Sequence, residues 1–247
     1  MPKIYLSPST QDWNPYITGS GSEEYNMNLL ADALEPYLVS NAITWVRNTP
    51  DMTAASSIRQ ANSIGGFDFY LALHSNASGA GNEGANRGII AFYYPTSVNG
   101  QRAAELFAAS LREVYPLPDL VRTQSTTSLG EVRQPLFPAN LIEIGYHDNY
   151  ADAQWIENNR PQIAQALARG LTEYFDLPFI YPQAEQTGIV TTGGTPLRLR
   201  DYPGTGGNVI ATLPNGASVT VHGEWQGWYV VHYNGSVGYA AAAYINI

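Results

Sequence analysis

Apolar positions over the first 177 residues follow two alternating spacings. Apolar-rich runs at 4–6, 43–46, 69–73, 89–94 and 141–144 read as short strands, several of them buried on both faces. Between them, apolar residues recur every three or four positions. Leu29, Leu30, Ala33, Leu34 and Leu38 do so within 22–38, and the same spacing marks helices over 54–64, 102–114 and 162–175. Ser22 with the acidic pair Glu23-Glu24 opens the first helix, and Gly65-Gly66 stops the second. Strands alternating with helices predict an α/β domain over residues 1–177, a mostly parallel sheet flanked by helices.

Past Pro178 the helical spacing stops. Residues 178–187, with Pro178 and Pro182 and no sustained period, read as a linker. Residues 188–247 are short β-rich runs, such as 219–221 and 228–231. Turn signals separate them: Gly193-Gly194, Pro203-Gly204, Pro214-Asn215-Gly216, Gln226-Gly227 and Asn234-Gly235. This stretch is expected to form a small all-β barrel.

Composition narrows the chemistry. Twelve Lys+Arg against twenty-one Asp+Glu give a formal charge of −9, which opposes nucleic acid as a partner. Cysteine is absent, so any metal must be held by His, Asp or Glu, and there are only four histidines. No apolar run reaches the ~20 residues of a membrane helix. The opening Met1-Pro2-Lys3 enters a strand at once, which leads us to expect either a trimmed chain or release without a secretory leader, as in phage lysins.

Two polar residues stand at the ends of apolar strands, where ligands bind in open α/β sheets. His74 follows Leu71-Ala72-Leu73, and reads as a ligand or as a loop cap. Glu143 lies inside Leu141-Ile142-Glu143-Ile144. A carboxylate there must be paired, for instance with Arg133, or else metal-bound, protonated or catalytic. Glu24 at a helix start reads either as a favourable helix-end charge or as a third partner, with Glu23 competing for that role. Together they suggest a metal hydrolase with His and Glu as ligands and a second Glu as base. The HExxH, Gly-x-Ser-x-Gly and P-loop signatures are missing.

Several ordered pieces resemble the zinc-dependent N-acetylmuramoyl-L-alanine amidases. They are Glu24 with Asn28-Leu29, Val46-Arg47, Arg59-Gln60-Ala61-Asn62, Asp68 to Ala77, Gly88 to Tyr93, Val132-Arg133, and Pro138 to Tyr146 with Asp148-Asn149. The resemblance implies one Zn2+ per catalytic domain, held by Glu24 and His74, with Glu143 as catalytic base and Asn76 and Arg133 at the substrate. The family usually supplies a first histidine in the loop after strand one. Here that loop reads Ser7-Pro8-Ser9-Thr10-Gln11-Asp12-Trp13-Asn14, with Trp13 where the histidine is expected. Asp12, Gln11 and His147 remain the candidates for a third ligand.

The C-terminal stretch resembles bacterial SH3-type modules, through Thr195 to Pro203, Leu213 to Gly216, Trp228 to Val231 and Gly238-Tyr239. Such modules are taken to hold wall hydrolases on peptidoglycan peptides, with Tyr202, Trp225 or Tyr239 as groove aromatics; Tyr239 and Trp228 read alternatively as core, the reading preferred for Trp228. The expected partner is therefore peptidoglycan, glycan strand and stem peptide together, and the place of action outside the cell or in the wall. The expected reaction is hydrolysis of the amide between N-acetylmuramic acid and L-alanine. The alternatives are a non-catalytic wall-binding protein on a lapsed amidase fold, and a metallo-peptidase acting on the stem peptide.

Overall fold

A computed structural model describes all residues, Met1–Ile247. The chain divides into two compact units. One comprises Lys3–Glu35 with Trp45–Tyr174; the other comprises Met1–Pro2, Pro36–Thr44 and Phe175–Ile247.

The first unit is built on a six-stranded sheet. Its strands are β1 (Lys3–Pro8), β2 (Thr44–Arg47), β3 (Phe69–Asn76), β4 (Ile89–Tyr93), β5 (Val121–Ser125) and β6 (Ala139–Tyr146), in the order β2-β1-β3-β6-β4-β5. β1, β3 and β6 pair in parallel, as do β4 and β5, and only the β4–β6 pairing is antiparallel. The helices are α1 (Glu23–Ser40), α2 (Ala54–Ile64), α3 (Val98–Arg112), the single turn α4 (Gly130–Arg133), α5 (Tyr150–Asn158) and α6 (Arg160–Tyr174).

The central strand β3 shows why a continuous apolar run was the correct signal. Phe69, Tyr70, Leu71, Ala72 and Leu73 are all fully buried, because helices cover both faces of the sheet. Each large side chain so buried contributes about 1.5–3 kcal/mol. α2 is fixed at its start by a capping box, with the Thr53 hydroxyl accepting from Ser56 N.

β6 carries one residue more than β3 at its end. His74 pairs with Glu143, whereas Asn76 pairs with Tyr146. The extra residue is accommodated at Gly145, with φ +70°, where a Cβ would also press on Ile156 and Asp152. Buried Asp152 pins the exit. Its carboxylate accepts from Tyr146 N (3.1 Å), Gly88 N (3.0 Å), Arg87 Nε (2.8 Å) and Tyr115 OH (2.7 Å).

The second unit holds a seven-stranded antiparallel sheet. Its strands are β7 (Gln186–Val190), β8 (Leu197–Arg200), β9 (Val209–Leu213), β10 (Ser218–Trp225), β11 (Trp228–Tyr233), β12 (Ser236–Ala241) and β13 (Ile245–Asn246). They run in the order β13-β7-β10-β11-β12-β8-β9. Asn234 and Gly235 both have positive φ, the conformation of the tight β11–β12 hairpin turn that this dipeptide favours. Residues 175–185 form no helix or strand, yet Ile180 is buried with Ala42, Val230 and Tyr239, and its carbonyl accepts from Asn41 Nδ2 (2.9 Å). Tyr239, expected as a groove aromatic, is fully buried core instead; Tyr202 and Trp225 are exposed.

Candidate active site

His74 sits near the C-terminal end of β3, almost fully buried, directly across the sheet from Glu143 of β6. Its ring lies between two carboxylates. Nδ1–H donates to Glu23 Oε1 (2.9 Å) and Nε2–H donates to Glu131 Oε2 (2.9 Å). Glu131, on α4, also accepts from Ser7 Oγ (2.6 Å) and Tyr70 OH (2.8 Å), so strands β1 and β3 fix its position. Burial opposes charge on all three groups. The hydrogen bonds and opposite charges outweigh it, holding His74 well above the usual histidine pKa and Glu23 and Glu131 below the usual carboxylate range.

Gln11 completes this cluster. Its Nε2 lies 3.4 Å from His74 Nδ1, and its Oε1 accepts from Asn14 Nδ2 at 3.0 Å. The same Asn14 nitrogen donates to Glu23 Oε2 at 3.0 Å. A carboxylate accepts only, so Asn14 must present its NH2 there, and Gln11 therefore turns its own NH2 toward His74.

A cavity of about 350 Å3 opens beside these groups, lined by Gln11, Ile58, His74, Glu131, Leu141 and Glu143 among others. Glu143 Oε2 is shielded from solvent and has no hydrogen-bond partner. Burial pushes the Glu143 carboxyl up to about 7; His74 works against this shift, while the charges of Glu23 and Glu131 reinforce it. An unpaired carboxyl titrating near neutrality, in a cavity at a strand end, is equipped to move a proton.

The structure places the residues expected from sequence as follows. Glu23, not Glu24, meets His74; Glu24 instead accepts from Asn28 Nδ2 (3.1 Å) and Ser22 Oγ (3.4 Å). The residues on α1 that are buried include Glu23, Met27, Leu30, Leu34 and Leu38, so Glu23 is in phase with the core stripe and Glu24 is one step off it. That phase was readable in the sequence. Of the three third-ligand candidates, only Gln11 reaches His74. Asp12 is exposed, as is Trp13. His147 Nδ1 donates to the Ser75 carbonyl (2.8 Å), and its ring stacks on Tyr16, so it packs the loop behind the site. Arg133 is exposed and does not neutralise Glu143. Asn76 is occupied locally, its Oδ1 accepting from Ala77 N. Glu131 was not foreseen, since nothing in a four-residue helix marks one acid for burial.

Comparison with known proteins adds an independent line. Residues 9–173 match the family model described as N-acetylmuramoyl-L-alanine amidase. The chain belongs to this family. Residues 195–246 match the bacterial SH3 domain. Over 195 residues the chain is 25% identical to the sporulation-specific N-acetylmuramoyl-L-alanine amidase of Bacillus subtilis (strain 168), covering 76% of this chain and 72% of that protein. It is 27% identical over 186 residues to the N-acetylmuramoyl-L-alanine amidase CwlM of Bacillus licheniformis, covering 72% and 70%. Its fold matches the catalytic domain of CwlV, an N-acetylmuramoyl-L-alanine amidase from Bacillus (Paenibacillus) polymyxa var. colistinus. That match has a TM-score of 0.61 at 20% identity, over 72% of this chain and all of that one.

Three side chains meet around His74 Nδ1 in the amidase domain. No three His, Asp or Glu side chains converge on one point. One imidazole nitrogen, the Glu23 carboxylate and the Gln11 amide do meet there, and the far nitrogen is backed by Glu131. A carboxylate behind a ligating imidazole is the usual support of a zinc site, and the unpartnered Glu143 oxygen shares its cavity. These residues would suit a zinc-type cation only with Gln11 turned so that its oxygen, rather than its NH2, faces the ion.

Proposed function

We propose that this protein hydrolyses the amide between N-acetylmuramic acid and L-alanine in peptidoglycan, with Glu143 as general base. Membership of the amidase family supports the reaction class. The observation that carries the residue assignment is Glu143 itself, a carboxyl without a partner, opposite His74, with its pKa raised to about 7. Glu23, His74 and Gln11 are the residues proposed to hold one zinc ion, and Glu131 holds His74 so that Nδ1 faces it. When bound, such an ion polarises the scissile carbonyl and acidifies water. Glu143 accepts the proton of the attacking water and delivers it to the departing L-alanine nitrogen. Leu141 and Ile58 line the same cavity and keep it apolar around the reacting amide. Action is at the cell wall, and no helix is long and apolar enough to cross a membrane.

Replacing Glu143 by Gln tests the assignment. Release of peptides bearing a new L-alanine N-terminus from purified sacculi falls by about 10^2–10^4-fold, the usual worth of a positioned base, while sacculus binding persists. Undiminished release overturns the role. The amide at Gln11 and the two carboxylates on His74 favour a second reading, a wall-binding protein that does not cut. Protein that takes up no zinc and frees no L-alanine termini establishes that reading instead.

A further inference from the structure

His222 and His232 stand side by side on neighbouring strands of the C-terminal sheet, with ring centroids 4.1 Å apart and planes tilted by 54°. A bulge brings them together. Val221 of β10 pairs with Val231 and Gly223 with Val230, so His222 is the extra residue, and it is almost fully buried. The strand is tightly seated there, since a Cβ at Gly223 would press on Ile180 and on the Ser40 carbonyl. His222 Nδ1 lies 3.4 Å from Glu185 Oε1, on a side chain that is 71% exposed. His232 Nε2 is shielded from solvent and has no hydrogen-bond partner. Other ionisable groups on the surrounding elements are few. β7 has none, residues 36–44 only Tyr37, β12 only the buried Tyr239, and β11 the phenols of Tyr229 and Tyr233. β10 adds the exposed Glu224, and residues 175–185 add Tyr181 and the exposed Asp176. Besides each other, the two rings feel the charge of Glu185 alone.

We propose that this pair is an acid-sensitive clasp, holding β10 against β11 while both rings are neutral and releasing the seam once each has taken up a proton. The first proton goes to His222, whose Nδ1 faces the Glu185 carboxylate. The second must enter at His232, on a nitrogen with no acceptor, against a cation one ring away. Burial lowers both histidines from their ordinary value, and the neighbouring ring takes His232 further down, to about 4, while Glu185 works against both shifts. With the seam open, both rings are solvated and protonate near the ordinary value of about 6.5. The open form therefore binds more protons below that value. The clasp's contribution is complete above it and is lost as pH falls toward 4. Val221 and Val231, paired directly beside the rings, belong to the buried apolar cluster of the sheet, so release there reaches its core.

Amide exchange of the full chain is followed by NMR between pH 7.5 and pH 5, corrected for the pH dependence of the exchange chemistry, together with the ring C–H signals of both histidines. For His232 alone, a pKa of about 6.5 in the open form and about 4 in the closed one raises opening about 10–30-fold over that range. The amides of β10 and β11 should show this rise. Those of β3 and β6 should not, because there the raised carboxyl of Glu143 acts in the opposite sense. His232→Phe keeps a ring without the proton site and should lose most of the rise. Glu185→Gln removes the favourable charge and should move opening to higher pH; its side chain is mostly exposed, so this variant folds even where the first does not. Opening that stays flat down to pH 5, a rise of wild-type size in His232→Phe, or ring signals that titrate together near 6.5 in the folded chain overturn the proposal.

Discussion

Removing the charge of Glu131 tests how the candidate site is supported. Glu131 accepts from Ser7 Oγ, Tyr70 OH and His74 Nε2, all within 2.6–2.9 Å. Glu131→Gln keeps the shape but has a single acceptor oxygen. If that oxygen stays with the two hydroxyls, the new NH2 faces His74 Nε2 and forces the ring proton onto Nδ1, the nitrogen proposed to meet the ion. If the oxygen turns to His74 instead, the hydroxyls must reorient and the buried charge pair is still lost. A hydrogen bond to a charged group is worth about 1.5–3 kcal/mol. At about 2–4 °C per kcal/mol for a domain of this size, the metal-free protein should melt roughly 4–10 °C lower. Zinc affinity should fall about 10–100-fold, the usual effect of removing the partner of a ligating histidine. Calorimetry with chelator present gives the first quantity, and competition with a chromophoric chelator gives the second. Loss of stability alone marks Glu131 as structural. No change in either quantity refutes the reasoning.

Three further outcomes follow from the same contacts. Gln11→His supplies an imidazole where an amide now stands, so zinc affinity by chelator competition should rise about tenfold or more; unchanged affinity removes Gln11 from the site. Glu143 has its folded pKa raised to about 7, so its contribution to stability is fullest below the unfolded value and is lost as pH rises toward 7. The lowered Glu23 and Glu131 have the opposite sign, losing their contribution as pH falls through their folded values. The metal-free amidase domain should therefore be most stable near pH 5 and lose about 2 kcal/mol or more by pH 7.5, the raised His74 adding to the loss above its unfolded value, and a flat denaturation profile over that range contradicts this. Asp152→Ala strands Arg87 and two backbone N–H groups, with an expected loss of about 3–5 kcal/mol in urea unfolding; less than about 1 kcal/mol contradicts its structural role.

Strands buried on both faces were legible because they concentrate apolar residues. All five predicted runs in the first unit are strands, and the third covers the fully buried part of β3. The edge strand β5 was not seen, because Val121 is its one buried residue and the other four leave no apolar run. α5 escaped for a related reason: within nine residues only Asp152, Ala153 and Ile156 are buried, and one of those is an acid. Around the cavity, His74 and Glu143 were legible as polar breaks in apolar strands. The sequence reading chose Glu24, whereas the side chain that meets His74 is the adjacent Glu23, on a different face of α1. Glu131 and the choice of Gln11 over Asp12 and His147 depend on tertiary placement, which spacing along the chain does not encode.

The most direct test of the account is an anomalous map at the zinc edge from crystals of the zinc-saturated protein, with metal content measured on the same sample. The account requires one ion per chain, bound by Glu23, His74 Nδ1 and the Gln11 oxygen. An empty position there in protein that still liberates L-alanine termini, or an ion bound elsewhere, contradicts it.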